Sequence, residues 1–169
     1  MEQTLIIFKP DAVMRGVVGE ILSRFEKVGL KIVGAKMVVA SEEHLYGHYE
    51  GIGTLKTRKG DKVFAQTIKM MRDGPVIAMV LEGVEAVELV RKMIGTTEPK
   101  SAQPGTIRGD YAHVSYNHAN TEDTGVPNLI HASATTDEAE KEIAHWFSTS
   151  ELHNYENVHE RFTQPRRKN

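Results

Sequence analysis

The chain has 169 residues, 40% of them hydrophobic, enough for one domain with its own core. Its 21 basic and 23 acidic residues leave a net charge of −2, and only 7% of residues are aromatic, so nothing marks it as a nucleic-acid or anionic-membrane binder. With no cysteine, disulfides, thiol catalysis and cysteine-ligated zinc are excluded.

The opening MEQTLIIFKPD has too short an apolar run for a signal peptide, and no stretch approaches a membrane span, so a cytoplasmic location is expected. Thr4 to Phe8 reads as a buried strand closed by Lys9-Pro10-Asp11. From Val18 the period changes: Val18, Ile21, Leu22, Phe25 and Val28 share one helical face, and Gly29 stops it. Lys31 to Val39 returns to strand character, and Ser41-Glu42-Glu43 starts a helix with acidic residues in its first turn. Gly51 to Asp61 has no period and reads as a loop; Val63 to Met71 reads as a helix.

Pro75 to Leu81 is short and almost wholly apolar, the mark of a strand covered on both faces. Val84, Val87, Val90, Met93 and Ile94 form a helical stripe ending at Gly95. Tyr111 to Tyr116 is expected as the fourth strand, and Asp137 to Phe147 as the last helix. The order predicts an α+β, ferredoxin-like sandwich, a four-stranded antiparallel sheet covered by helices. Residues 1–160 read as one domain, with a basic, frayed tail over 161–169.

Thr96 to Gly109 runs fourteen residues without periodicity, and such a loop inside a compact domain is functional or a solvated connector. Its Thr97, Lys100, Thr106 and Arg108 are the hydroxyls and cations that hold phosphate oxygens. Lys9 and Arg91 each have a plain explanation, one snorkelling from a strand end and the other bordering a core stripe. Gathered with Arg108 in one cleft, however, they would repel unless an anion bound.

His131 ends the short apolar run NLIH just before a helix whose Thr135 and Glu138 fit a T-x-x-E capping box. Ala139, Ile143, Trp146 and Phe147 form the stripe of that helix, and Glu142 flanks it. If Glu142 accepts from one ring nitrogen of His131, it fixes the tautomer and turns the other lone pair outward, making a nucleophile. An unrelated structural histidine and surface glutamate fit the same spacing. His44 and His48 stand i, i+4 as in zinc sites, but without the metalloprotease glutamate or a third ligand. Gly51-Ile52-Gly53 lacks the context of a dinucleotide fingerprint, and no Walker-type loop exists.

NLIHAS with the AEKEIAHWF helix resembles the active-site signature of nucleoside diphosphate kinases, as do IIFKPDAVMRGVVGEILSRFE, SEEHLYGHY, GPVIAMVLEG and GTTEPKSAQPGTIRGDY, together nearly the whole chain. The resemblance implies transfer of the γ-phosphate of ATP or another nucleoside triphosphate to a nucleoside diphosphate, through a pros-phosphohistidine at His131. It makes Glu142 and Ser133 the orienting partners of that histidine. Lys9 and Asn128 become the holders of the ribose 3′-hydroxyl, Tyr49 the tyrosine near the transferred group, and Arg91, Thr97 and Arg108 the phosphate grip. It further implies Mg²⁺ held by the nucleotide phosphates without a protein metal site, broad base range, and a homo-oligomer: hexamer, tetramer or dimer.

Two departures stand out. The base platform falls on Val63 or Phe64, depending on the gap. Tyr116 to Pro127 is an added segment before Asn128, of a kind shared with archaeal-type members. The competing expectation is a non-catalytic nucleotide-binding or regulatory module, which should lack some of Lys9, Arg91, Arg108, Asn128, His131 or Glu142; all are present.

Overall fold

The computed structural model describes residues 1–163. Strand β1 (Glu2–Phe8) leads into α1 (Pro10–Met14), where Pro10 takes a position whose N–H has no helical partner. Helix α2 (Val18–Lys27) turns Ile21 and Phe25 inward, and β2 (Lys31–Val38) follows. Helix α3 (Glu42–Tyr46), capped by Ser41, runs straight into a π-helical turn at Gly47–Ile52. After α4 (Leu55–Lys59) and α5 (Asp61–Met71) come β3 (Val76–Gly83) and α6 (Ala86–Ile94). A long connection holds a 3-10 turn at Pro99–Ser101, α7 (Ile107–Tyr111) and α8 (Tyr116–Thr121) before β4 (Ile130–Ala132). Helices α9 (Thr136–Trp146) and α10 (Glu160–Thr163) follow.

The sheet order is β2-β3-β1-β4 with every pair antiparallel, the ferredoxin-like plan expected. Leu5, Ile6, Ile7 and Phe8 of the central β1 are all 0% exposed, because both faces are roofed. Ile6 and Phe8 join Ile21, Phe25, Val90 and Ile94 in one core. Leu5 and Ile7 join Leu45, Ile68, Ile143 and Trp146 in the other. That two-sided burial explains a strand written as an unbroken apolar run.

The register Ile7↔His131 places His131 on the face of Ile7, beneath α9 and the π turn, while Ile130 and Ala132 enter the opposite core. Among the described residues no helix is long and apolar enough to cross a membrane.

Three expectations are corrected. Tyr111 to Tyr116 is not a strand: Thr106 and Ser115 cap α7 and α8, accepting Gly109 N–H at 3.2 Å and His118 N–H at 3.1 Å. The free edge of β1 is taken by Ile130–Ala132, so the added segment Tyr116 to Pro127 precedes the fourth strand. Gly51 to Asp61 is not an open loop. The Glu50 carboxylate accepts Lys56 and Thr57 N–H at 2.6 and 3.2 Å and starts α4, which buries no residue and so shows no apolar period. Finally, Arg161–Thr163 of the expected tail lie in α10, and its remainder lies outside the described residues.

Candidate functional site

Glu142 was expected beside the α9 stripe; it lies within it, 1% exposed, together with Ala139, Ile143 and Trp146. A carboxylate so buried needs partners. Its Oε2 accepts the Ser133 hydroxyl at 2.6 Å, and its Oε1 lies 2.8 Å from His131 Nε2. Ser133 in turn accepts Leu5 N–H at 3.2 Å, tying Glu142 to the centre of the sheet. Burial, the dominant influence, pushes the Glu142 carboxyl up, opposed by His48 and by the Ser133 hydrogen bond.

The His131 ring has its side chain 18% exposed. Burial, then the Lys9 charge, brings its pKa down to about 3, with Arg108 and Arg91 acting the same way and Glu138 opposing. The imidazole is therefore neutral at physiological pH. With the ionised Glu142 as acceptor, the single ring proton sits on Nε2 and the Nδ1 lone pair is free.

The cations assemble at the mouth of β4. Lys9, at the end of β1, donates Nζ–H to Asn128 Oδ1 at 2.7 Å. Burial and, next, the nearby Arg108 pull the Lys9 ammonium down to about 8. Arg108, 4% exposed, donates to three carbonyls: Asn128 at 3.2 Å, Gly95 at 2.9 Å and Ile130 at 2.6 Å. Two of its five N–H groups remain for an anion. Arg91, in the last turn of α6, is exposed and reaches Ala132 O only at 3.5 Å.

Asn128 also donates Nδ2–H to Thr97 O at 2.8 Å, which brings Thr97 to the rim by its backbone. Tyr49, from the π turn, lies with its ring centroid 6.4 Å from that of His131, and its buried hydroxyl has no hydrogen-bond partner among the described residues. Burial drives the Tyr49 phenol well above its ordinary value, so it stays a donor.

Other candidates lie elsewhere. Thr106 is committed to the α7 cap and to Gln103 O at 2.6 Å. Lys100 is exposed on the 3-10 turn. Phe64 packs on the second core with its ring edge-on to Tyr46 at 5.6 Å, whereas Val63 is 38% exposed on α5. His44 and His48 do not converge on one point. His44 stacks on His145 at 4.1 Å, His48 faces His131 at 4.6 Å, and Trp146 has an edge contact with each.

Sequence reasoning missed Leu129 and Asp11. Leu129 has φ +71°, and Ile130 N–H donates to Asn128 O at 2.8 Å, a tight turn that non-glycine residues adopt only under strain. Asp11 Oδ2 accepts Leu129 N–H at 3.0 Å, and Lys9 N–H donates to Leu129 O at 2.8 Å. No spacing rule foretells such a turn; the only sequence signal was Asp11 immediately beyond Lys9-Pro10.

A neutral, carboxylate-steered imidazole at the edge of a cationic recess is the equipment of a transferase that attacks phosphorus with nitrogen. The family model described as nucleoside diphosphate kinase matches residues 2–152. A nucleoside diphosphate kinase of Borreliella burgdorferi is 44% identical over 155 residues, covering 92% of each chain. One of Pyrococcus furiosus is 48% identical over 157 residues, covering 92% of this chain and 88% of that one. A solved structure of the Borrelia burgdorferi enzyme, a transition-state mimic with vanadate and ADP, superposes with TM-score 0.92 at 43% identity, covering 96% of each chain. The chain belongs to the nucleoside diphosphate kinase family, a family of phosphotransferases.

Proposed function

We propose that the chain moves the γ-phosphoryl group of a nucleoside triphosphate such as ATP to a nucleoside diphosphate, with His131 Nδ1 as the intermediate carrier. The observation that carries this is the 2.8 Å contact between His131 Nε2 and Glu142 Oε1, which keeps the proton off the attacking nitrogen. The Nδ1 lone pair forms a bond to the γ-phosphorus as the bond to the bridging oxygen breaks, and the diphosphate leaves. The ring becomes cationic, and Glu142 stabilises the Nε2 proton. A second nucleoside diphosphate reverses the step in the same site, which makes the kinetics ping-pong.

Arg91 and the two uncommitted N–H groups of Arg108 meet the phosphate oxygens. The buried Tyr49 hydroxyl, on a ring whose centroid lies 6.4 Å from that of His131, supplies a further donor. Lys9 and Asn128, already paired at 2.7 Å, take the ribose hydroxyl, and Thr97 lines the same rim. Mg²⁺, which seeks several oxygen ligands, fits this donor set only through the nucleotide, since the buried Glu142 carboxylate is set among imidazoles. There it would neutralise charge on the phosphate oxygens. Val63, 38% exposed where Phe64 packs on the second core, is the side chain left available to an entering base and would offer an aliphatic contact in place of a stack, in keeping with broad base range.

A homo-oligomer, hexameric as the family resemblance implies, and a cytoplasmic location among free nucleotides complete the proposal. A merely nucleotide-binding module has no use for an assembled nucleophile. Incubation with γ-labelled ATP and Mg²⁺ should leave acid-labile label on His131, and GDP should remove it as GTP. Normal labelling of a His131→Ala variant would overturn the assignment.

A further inference from the structure

His48 plays no part in the transfer just described, yet it is 1% exposed and lies against the nucleophile. Its Nδ1 is 3.5 Å from Glu142 Oε1, the oxygen that also contacts His131 Nε2 at 2.8 Å. One ligand atom from each of the three residues falls within 4.8 Å of the others. Trp146 Nε1–H donates to the same His48 Nδ1 at 3.2 Å. Indole is a donor only, so that nitrogen is unprotonated. The single lone pair of His48 Nδ1 is taken up by the indole, so no proton bridges the 3.5 Å to Glu142 Oε1, and two electronegative atoms lie close together in a buried space. Such a contact is relieved by a cation.

We propose that His48, His131 and Glu142 form an inhibitory site for a zinc-type divalent cation. Two imidazoles and one carboxylate, with a fourth position open, are a donor set that Zn²⁺ accepts and that the oxygen-seeking Mg²⁺ does not. Metal–ligand bonds of about 2.0–2.2 Å in a tetrahedron set ligand separations of about 3.3 Å. The two contacts to Glu142 Oε1, 2.8 and 3.5 Å, bracket that spacing.

The consequence for chemistry follows from counting protons. A bond from the metal to His131 Nε2 uses that nitrogen's lone pair, and the ring's one proton moves to Nδ1. The hydrogen bond from His131 to Glu142 breaks, the metal takes the His48 Nδ1 lone pair from the Trp146 N–H, and no electron changes hands. The nucleophilic lone pair is gone. Binding stands by itself; inhibition rests on the phosphohistidine reading.

Trp146 is the only tryptophan and touches the site, so its emission reports occupancy. Nucleotide-free protein would be titrated with Zn²⁺, following fluorescence and binding heat. Labelling by γ-labelled ATP kept below the protein concentration would be measured in parallel, so that nucleotide cannot strip the metal. One Zn²⁺ per chain should change Trp146 emission and suppress Mg²⁺-supported labelling in proportion to occupancy, while Mg²⁺ itself leaves the emission unchanged and does not suppress labelling. His48→Gln and His131→Asn should each weaken Zn²⁺ binding about tenfold or more. A thermal melt checks that the buried His48→Gln variant folds, and the partly exposed His131 provides the second arm. Unchanged emission at one equivalent, unchanged affinity in both variants, or affinity lost instead in His44→Ala or His145→Ala would overturn the proposal. Metal-free labelling tests the kinase reading separately.

Discussion

Ser133→Ala removes one oxygen and takes a hydrogen bond from each of two buried groups, Glu142 Oε2 and the Leu5 N–H. Ser133 is 0% exposed; its hydroxyl donates to Glu142 Oε2 at 2.6 Å and accepts Leu5 N–H at 3.2 Å. A hydrogen bond to a charged group is worth about 1.5–3 kcal/mol, and an orphaned buried amide costs about 1–3 kcal/mol. The two share one network and do not add fully, so a destabilisation of about 2–4 kcal/mol is expected in urea unfolding. Activity should fall by a separate route. Glu142, already pushed up by burial, holds its charge less well without the Ser133 donor. A protonated Glu142 no longer accepts from His131 Nε2, and the ring is released to place its proton on Nδ1. A loss of 1.5–3 kcal/mol of carboxylate stabilisation corresponds to a shift of about 1–2 pH units in the acid limb of phosphoenzyme formation. Rapid-quench labelling with γ-labelled ATP measures it, and the acid limb of the rate should move to higher pH. A variant with both the parent unfolding midpoint and the parent labelling rate would refute the reasoning.

Further predictions concern the cations, the histidines and one glycine. With Lys9 titrating at about 8, kcat/KM should fall as pH rises through that value, and Lys9→Arg, which stays charged, should move the limb upward. An unchanged limb would assign it to another group. His131 at about 3 lies below the roughly 6.5 of a free imidazole, so the unfolded chain binds the proton first. Stability from this group is present above about pH 6.5 and lost as pH falls toward 3, and the raised Glu142 offsets part of it. His131→Asn should flatten the dependence of the urea midpoint on pH in that window; an equal slope would contradict the assignment. At Gly95, φ is +81° and an added Cβ would lie 2.5 Å from Thr106 Oγ1. Gly95→Ala should therefore displace the α7 cap and the Arg108 anchor, costing about 1–3 kcal/mol and raising KM for nucleotide. Parent values of both would sink this.

The sheet could be read from sequence wherever burial leaves a period. β1 and β3 are roofed on both sides and read as apolar runs, and α2, α6 and α9 carry stripes. What failed lacked that mark. Helix α4 buries nothing, and α7 and α8 are single turns set by caps at Thr106 and Ser115. The strand β4 is three residues long, shorter than any pattern. Its identity depends on which segment fills the edge of β1, a choice made by tertiary packing. The site divides the same way. Residue types and motif resemblance pointed to His131, Glu142, Lys9 and Arg108. That Arg108 binds three carbonyls before any phosphate, and that Glu142 is within the core face, come only from the fold.

Those carbonyls explain why a strained turn is tolerated beside His131. Leu129 at φ +71° costs of order 1–3 kcal/mol, and nothing local repays it, because its side chain is aliphatic. Yet its N–H donates to Asp11, its carbonyl accepts from Lys9 N–H, and Arg108 donates to the carbonyls of both neighbours, Asn128 and Ile130. Its side chain is 0% exposed in the first core. Four long-range hydrogen bonds and full burial therefore over-determine the turn. The strain fixes where β4 begins, and the register Ile7↔His131 then places the imidazole under Glu142. Lys9 and Arg108 act twice in this arrangement. Their charges add to burial in keeping His131 neutral, and their hydrogen bonds, from the Lys9 backbone and the Arg108 guanidinium, hold it in position. Substitutions at either residue should disturb the geometry of the His131 imidazole and its protonation together, not phosphate affinity alone.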